Sequence, residues 1–151
     1  MSPFGLLYYP QVDEGSGAMY ELQRFVNRLI LDGRYQEALN QLHSVMRRNR
    51  ADFDALLDCG YVHSQLDRWD EALAYFRRAL MAKSFCSDPS RLSFLWYRMS
   101  IALMAVRDLD ASMNAINQAE QLLSTYDHGV DEPEEYARIR AKIEYKAEMG
   151  G

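Results

Sequence analysis

The chain has 151 residues, 48% of them hydrophobic and 26% charged, with only four prolines, which excludes disorder over most of its length and suits one globular domain with its own core. A net charge of −5 and a pI near 5.2 exclude the broad basic footprint with which nucleic-acid binders neutralise phosphates. No nucleic-acid partner is expected.

In chain order, "MSPFGLLYYPQ" comes first. It has no basic n-region and its apolar run is too short for the core of a signal peptide. Residues 1–17 read as an apolar extension, bounded by Pro3 and Pro10, followed by the flexible acidic linker "QVDEGSG". From Met19 the apolar spacing turns helical, with Leu22, Phe25, Val26 and Leu29 on one face. Gly33 stands where a left-handed helix stop is wanted, and a second helix carries Ala38, Leu42 and Val45. Asp52 then reads as an N-cap of a helix with Leu56, Cys59, Gly60 and His63 on its packing face, followed by a partner helix with Ala72, Phe76 and Ala79. Gly60 and Ala72 are small where two such helices would approach most closely. Asp88-Pro89 reads as the next cap, and a third pair follows with Trp96, Met99, Ser100 and Leu103, then Ser112, Ile116 and Ala119. Last, "DEPEEYARIRAKIEYKAEM" has acids early, bases late and a stripe of Tyr136, Ile139 and Ile143. It reads as a helix that covers an open end.

The most apolar run, "RLSFLWYRMSIALM", is interrupted by Arg91 and Arg98, with Arg107 close behind. It is too short for a membrane span, and no membrane insertion is expected. The short basic clusters "MRRNR" and "FRRALMAK" fall in C-terminal halves of predicted helices, where cations complement the helix dipole.

Ala38 and Ala72 are 34 residues apart, as are Tyr35 and Trp69, and Glu37 and Glu71; Ala72 and Ser112 are 40 apart, the six extra residues falling in "KSFCSDPSR". A 34-residue unit of two amphipathic helices resembles the tetratricopeptide repeat, and the resemblance runs from about Met19 to Ser124. It implies an all-α, right-handed superhelical solenoid of about three helix-turn-helix pairs. The expected layout is repeats at 19–52, 53–86 and 93–124 within 18–124, with a loop and capping helix at 125–151. The sequence departs from the family in having the small glycine only in the second copy and no repeat-ending proline.

The same resemblance implies a concave groove that takes up an extended or helical segment of a partner protein. Its expected lining is Tyr20, Gln23, Asn27 and Ile30 from the first repeat and Leu57, Asp58, Tyr61 and Gln65 from the second. The third adds Phe94, Tyr97, Arg98, Ile101 and Met104. Some members clamp the acidic tails of heat-shock chaperones. Asn27 and Arg98 match that clamp, whereas Gln23, Asp58 and Phe94 stand where a lysine, an asparagine and a lysine are needed. A groove of Tyr61, Phe94, Tyr97, Ile101 and Met104 suits apolar anchors instead. The expected function is therefore a non-catalytic adaptor or chaperone. Alternatives are a structural subunit using its convex or end surfaces, and a chaperone of the type III secretion translocator kind, which has this size and layout. Residues 1–17 could fold back into the groove, exchange with a neighbour to form a homodimer, or add a helix.

Two cysteines, Cys59 and Cys86, form neither a disulfide framework nor a zinc pattern, and a reducing, cytoplasmic setting is the simpler expectation. Cys59 and His63 share a helical face but occupy packing positions. His43 and His128 are isolated, and Gly15-Ser16-Gly17 lacks the context of a phosphate loop. No polar groups converge as catalysis requires, so no enzyme activity, metal or cofactor is expected.

Overall fold

A computed structural model describes residues 17–86, 88–126 and 134–150. The described residues form seven α-helices in antiparallel succession: α1 (Gly17–Leu31), α2 (Tyr35–Arg48), α3 (Phe53–Gln65), α4 (Trp69–Met81), α5 (Pro89–Ala105), α6 (Leu109–Tyr126) and α7 (Glu134–Met149). A single 3-10 turn, Lys83–Phe85, follows α4. The expected extension at 1–17, apart from its last residue, lies outside the described residues, as does His128. Phe25 corrects the expected packing face of α1, since it is 48% exposed while Val26, Leu29 and Ile30 are buried.

Local chemistry sets the helix starts. The Asp52 carboxylate accepts from the Ala55 N–H at 2.9 Å and so caps α3; Asp88 accepts from the Ser90 N–H at 3.0 Å, with Pro89 opening α5. The helix stops show the repetition more plainly than the side chains do. Gly33 turns α1 into α2 with φ +74°, and the Arg34 N–H donates to the Leu29 carbonyl. Asp67 and Arg107 make the same left-handed turn, with φ 57° and 66°. The Arg68 N–H donates to the His63 carbonyl and the Asp108 N–H to that of Leu103, each five residues back. These three turns recur at the spacing of the sequence copies, although only the first has the glycine that makes the conformation inexpensive.

Within each pair small residues let the helices close. The Ser112 hydroxyl donates to the Ser100 carbonyl at 2.7 Å, stitching α6 to α5 where the second pair has Ala72 and Gly60. A Cβ placed on Gly60 would lie 2.4 Å from two ring carbons of Phe76, which is wholly buried. Gly60→Ala would gain about 1 kcal/mol of helix propensity, but overpacking a filled core costs about 1–3 kcal/mol. The ring has nowhere to retreat, so the expected result is a net loss on the order of 1 kcal/mol, read as a lower urea midpoint. Adding Phe76→Leu to Gly60→Ala should cost less than Phe76→Leu alone.

His63, buried on α3, stacks on Tyr75 of α4 at 5.3 Å, and the Tyr75 hydroxyl lies 3.3 Å from His43 Nε2 on α2. α7 closes the stack. Its Tyr136, Ile139 and Ile143 are buried against α5 and α6, and Arg140 pairs with Glu120 of α6. No described helix is long and apolar enough to cross a membrane.

Candidate partner-binding groove

The first helix of each pair, α1, α3 and α5, carries the residues expected to line a groove. Tyr20 sits on α1, but its side chain lies outside the described set. The aromatic residues assemble into a row across the helices: Tyr61 meets Phe94 at 6.1 Å between ring centroids, Phe94 meets Tyr97 at 6.3 Å, and Tyr97 stacks on Tyr136 of α7 at 4.7 Å. The row is buried more deeply than the spacing suggested. Phe94 is 2% exposed, Tyr61 5% and Tyr97 7%, and Ile30 and Leu57 are likewise buried. Burial pushes the Tyr61 and Tyr97 phenols above their ordinary range. These rings mainly bind α3, α5 and α7 together. The side chains that remain reachable are Gln65, which is exposed, and Gln23, Asn27, Arg98, Ile101 and Met104, which are half-buried.

Asp58 is one of the residues expected to line the groove. The structure buries it, and Arg91 of α5 holds it at 3.0 Å while donating through Nε to Asp54 at 2.9 Å. The guanidinium is itself fully buried, so one cation ties the start of the third pair to two carboxylates of the second. Sequence reasoning read Arg91 only as an interruption of an apolar run. The available signal was the pair Asp54 and Asp58, four apart and therefore on one face of α3.

Arg98 behaves differently. Its guanidinium lies over the Tyr61 ring at 4.7 Å and donates from Nη2 to the Ser64 hydroxyl at 2.9 Å. No carboxylate pairs with it among the described residues, its buried Nε finds no acceptor, and burial holds its pKa below the usual arginine range. Across on α1, the buried Gln23 Oε1 and Asn27 Oδ1 find no donor among the described residues. The three half-buried side chains thus leave hydrogen-bonding capacity unused, in the form of two acceptors and a cationic donor.

Burial drives the Cys59 thiol far above its ordinary range, which keeps it in the unreactive neutral form. Among the described residues no group of three His, Cys, Asp or Glu side chains is placed to hold a metal ion.

Residues 29–92 match the tetratricopeptide repeat family model. No curated protein sequence matches the chain. Among solved structures, the chain is similar to the TPR2B domain of yeast Sti1 in complex with pHsp70, at 15% identity and a TM-score of 0.72, covering 84% of this chain and 96% of that one. It is similar to the Yersinia enterocolitica type III secretion translocator chaperone SycD, at 14% identity and a TM-score of 0.73, covering 92% and 90%. PcrH in complex with the chaperone binding region of PopD superposes at 14% identity and a TM-score of 0.68, covering 95% and 100%. The match over residues 29–92 and these superpositions agree in fold, and the seven described helices have the architecture of a tetratricopeptide-repeat solenoid.

Proposed function

We propose that this chain is a non-catalytic adaptor or chaperone that holds an extended, largely apolar segment of a partner protein along α1, α3 and α5. The observation that carries this reading is the unused hydrogen-bonding capacity of Gln23, Asn27 and Arg98. A buried polar group without a partner costs about 1–3 kcal/mol, and more when it is charged, so a ligand that supplies the partner recovers that cost. The main chain of an extended peptide has both kinds of group: N–H donors for Gln23 and Asn27, and carbonyl acceptors for Arg98. Its apolar side chains would meet Ile101 and Met104. An acidic tail fits less well, because Gln23 and Phe94 replace the lysines that would attract it.

Two structural neighbours contain a bound segment, pHsp70 on Sti1 and the PopD region on PcrH, which supports the use of such a solenoid in this way. The free cysteines Cys59 and Cys86 suit a cytoplasmic setting.

The test is quantitative affinity capture from the source cell with wild-type protein, the double variant Asn27→Ala with Arg98→Ala, and the convex variant Arg77→Glu with Arg78→Glu. Losing a hydrogen bond from a charged donor costs about 1.5–3 kcal/mol, so the groove variant should retain its partner roughly 10-fold more weakly or worse. The convex variant should capture it normally. A partner that survives the groove change, with both variants folded by circular dichroism, rules out this groove as its site.

A further inference from the structure

The acid excess of this chain is not spread evenly over its surface. α2, α3 and α4 are joined by turns of a few residues, so α2 and α4 both run antiparallel to α3 and end at the same edge of the solenoid. The contact between Tyr75 of α4 and His43 of α2 sets the two helices side by side. The last turn of α2 carries Arg47 and Arg48 and that of α4 carries Arg78, preceded by Arg77, with Lys83 in the 3-10 turn, all exposed. Complementing two helix dipoles accounts for cations here, but not for the side chains among them. Met81 is 88% exposed and Phe85 72%. Met81 follows Arg77 and Arg78 by one helical turn, and Phe85 lies four residues further on.

None of the five cations is in an ion pair among the described residues; Arg78 lies over the Tyr75 ring at 5.4 Å. Among the described residues, the acids at the starts of α3 and α5 have partners of their own. Asp52 and Asp88 cap α3 and α5, and Asp54 and Asp58 hold Arg91. Glu134 and Glu135 lie beyond the third pair, at the start of α7. Two large apolar side chains therefore protrude among cations that form no ion pair with a described side chain.

We infer that this edge docks on an anionic lipid surface. Phe85 and Met81 enter the headgroup region, the cations meet lipid phosphates and carboxylates, and the solenoid rests on the leaflet without spanning it. Charge complementarity selects the anionic partner. Protrusion selects lipid over an acidic protein: a protein would need a pocket for both apolar side chains with acids in register, whereas a leaflet accepts both in any register.

Each basic side chain near an anionic leaflet strengthens partitioning roughly five-fold, and inserting a phenylalanine adds roughly ten-fold or more. The test is co-sedimentation of the full chain with vesicles of equal parts phosphatidylserine and phosphatidylcholine, and with phosphatidylcholine alone, at low and high salt. Binding is expected on the anionic vesicles only, with release at high salt. Arg77→Glu with Arg78→Glu should weaken it more than about 100-fold and Phe85→Ser roughly 10-fold, while Arg68→Glu at the opposite edge leaves it unchanged. Absence of binding, or equal binding to neutral vesicles, overturns the proposal. So does a soluble dimer that Phe85→Ser dissolves, or capture of polyglutamate by a chain that ignores the vesicles; these outcomes would assign the edge to a second copy or to an acidic protein.

Discussion

Replacing Arg91 by methionine is expected to destabilise the fold by about 3–5 kcal/mol, the range seen when one partner of a buried ion pair is removed. The substitution keeps most of the side-chain volume, so little of the effect comes from a cavity. The loss arises because Asp58, 1% exposed on α3, would keep its carboxylate in a dry setting without the guanidinium now 3.0 Å away. Asp54 would lose its 2.9 Å contact too, but its side chain is 33% exposed and water can replace the cation. The two carboxylates should therefore separate in a double-mutant cycle. Adding Asp54→Asn to Arg91→Met should change little, whereas adding Asp58→Leu should restore a large part of the lost stability, since an apolar replacement of a buried ionic group is often neutral or better. Urea unfolding of wild type, the three single variants and the two double variants measures this. If Arg91→Met lowers stability by less than about 1 kcal/mol, the pair does not hold the second and third helix pairs together.

The helix pairs could be read from sequence because their close approaches are small residues at fixed spacing: Ala38 and Ala72, Gly60, Ser100 and Ser112. Depth could not. In a solenoid the first helix of each pair packs on its own partner and on the first helix of the next pair, so two of its faces are covered. α3 shows the result: every residue from Ala55 to Ser64 is buried, Asp58, His63 and Ser64 included. Helical periodicity tells which side a residue faces, not how much lies over that side, and this is why Tyr61, Phe94 and Tyr97 read as groove wall when most of their surface is core. The left-handed turns at Asp67 and Arg107 were hidden for another reason. Sequence signals such a turn through glycine, and these positions accept strain that the surrounding repeat imposes. The unused polar atoms of Gln23, Asn27 and Arg98 required coordinates, since satisfaction of a hydrogen bond depends on what the neighbouring helices bring.

Tyr136→Ala is the second change expected to act strongly, costing about 3–5 kcal/mol as large-to-small substitutions of buried aromatics do. Tyr136 is wholly buried, and it is where α7 meets both helices of the third pair. Its ring stacks on Tyr97 at 4.7 Å, and its hydroxyl lies 2.8 Å from Ser93 Oγ. The Ser93 proton is committed to the Ala119 carbonyl, also at 2.8 Å, so Tyr136 is the donor and Ser93 the acceptor. Burial raises the phenol's pKa well beyond its ordinary range, which keeps that proton in place. Tyr136→Phe retains the stack and the volume and should cost only about 1 kcal/mol, because the Ser93 hydroxyl still has Ala119. Tyr136→Ala removes ring, stack and donor together and leaves Tyr97 facing a void. If α7 serves chiefly to cover the solenoid end, its loosening should expose the third pair. Limited proteolysis should then cut ahead of Glu134 in Tyr136→Ala but not in Tyr136→Phe, and an apolar dye should bind the former. Equal protease resistance in the two variants would mean that Ile139, Ile143 and the Arg140–Glu120 pair dock α7 without the tyrosine.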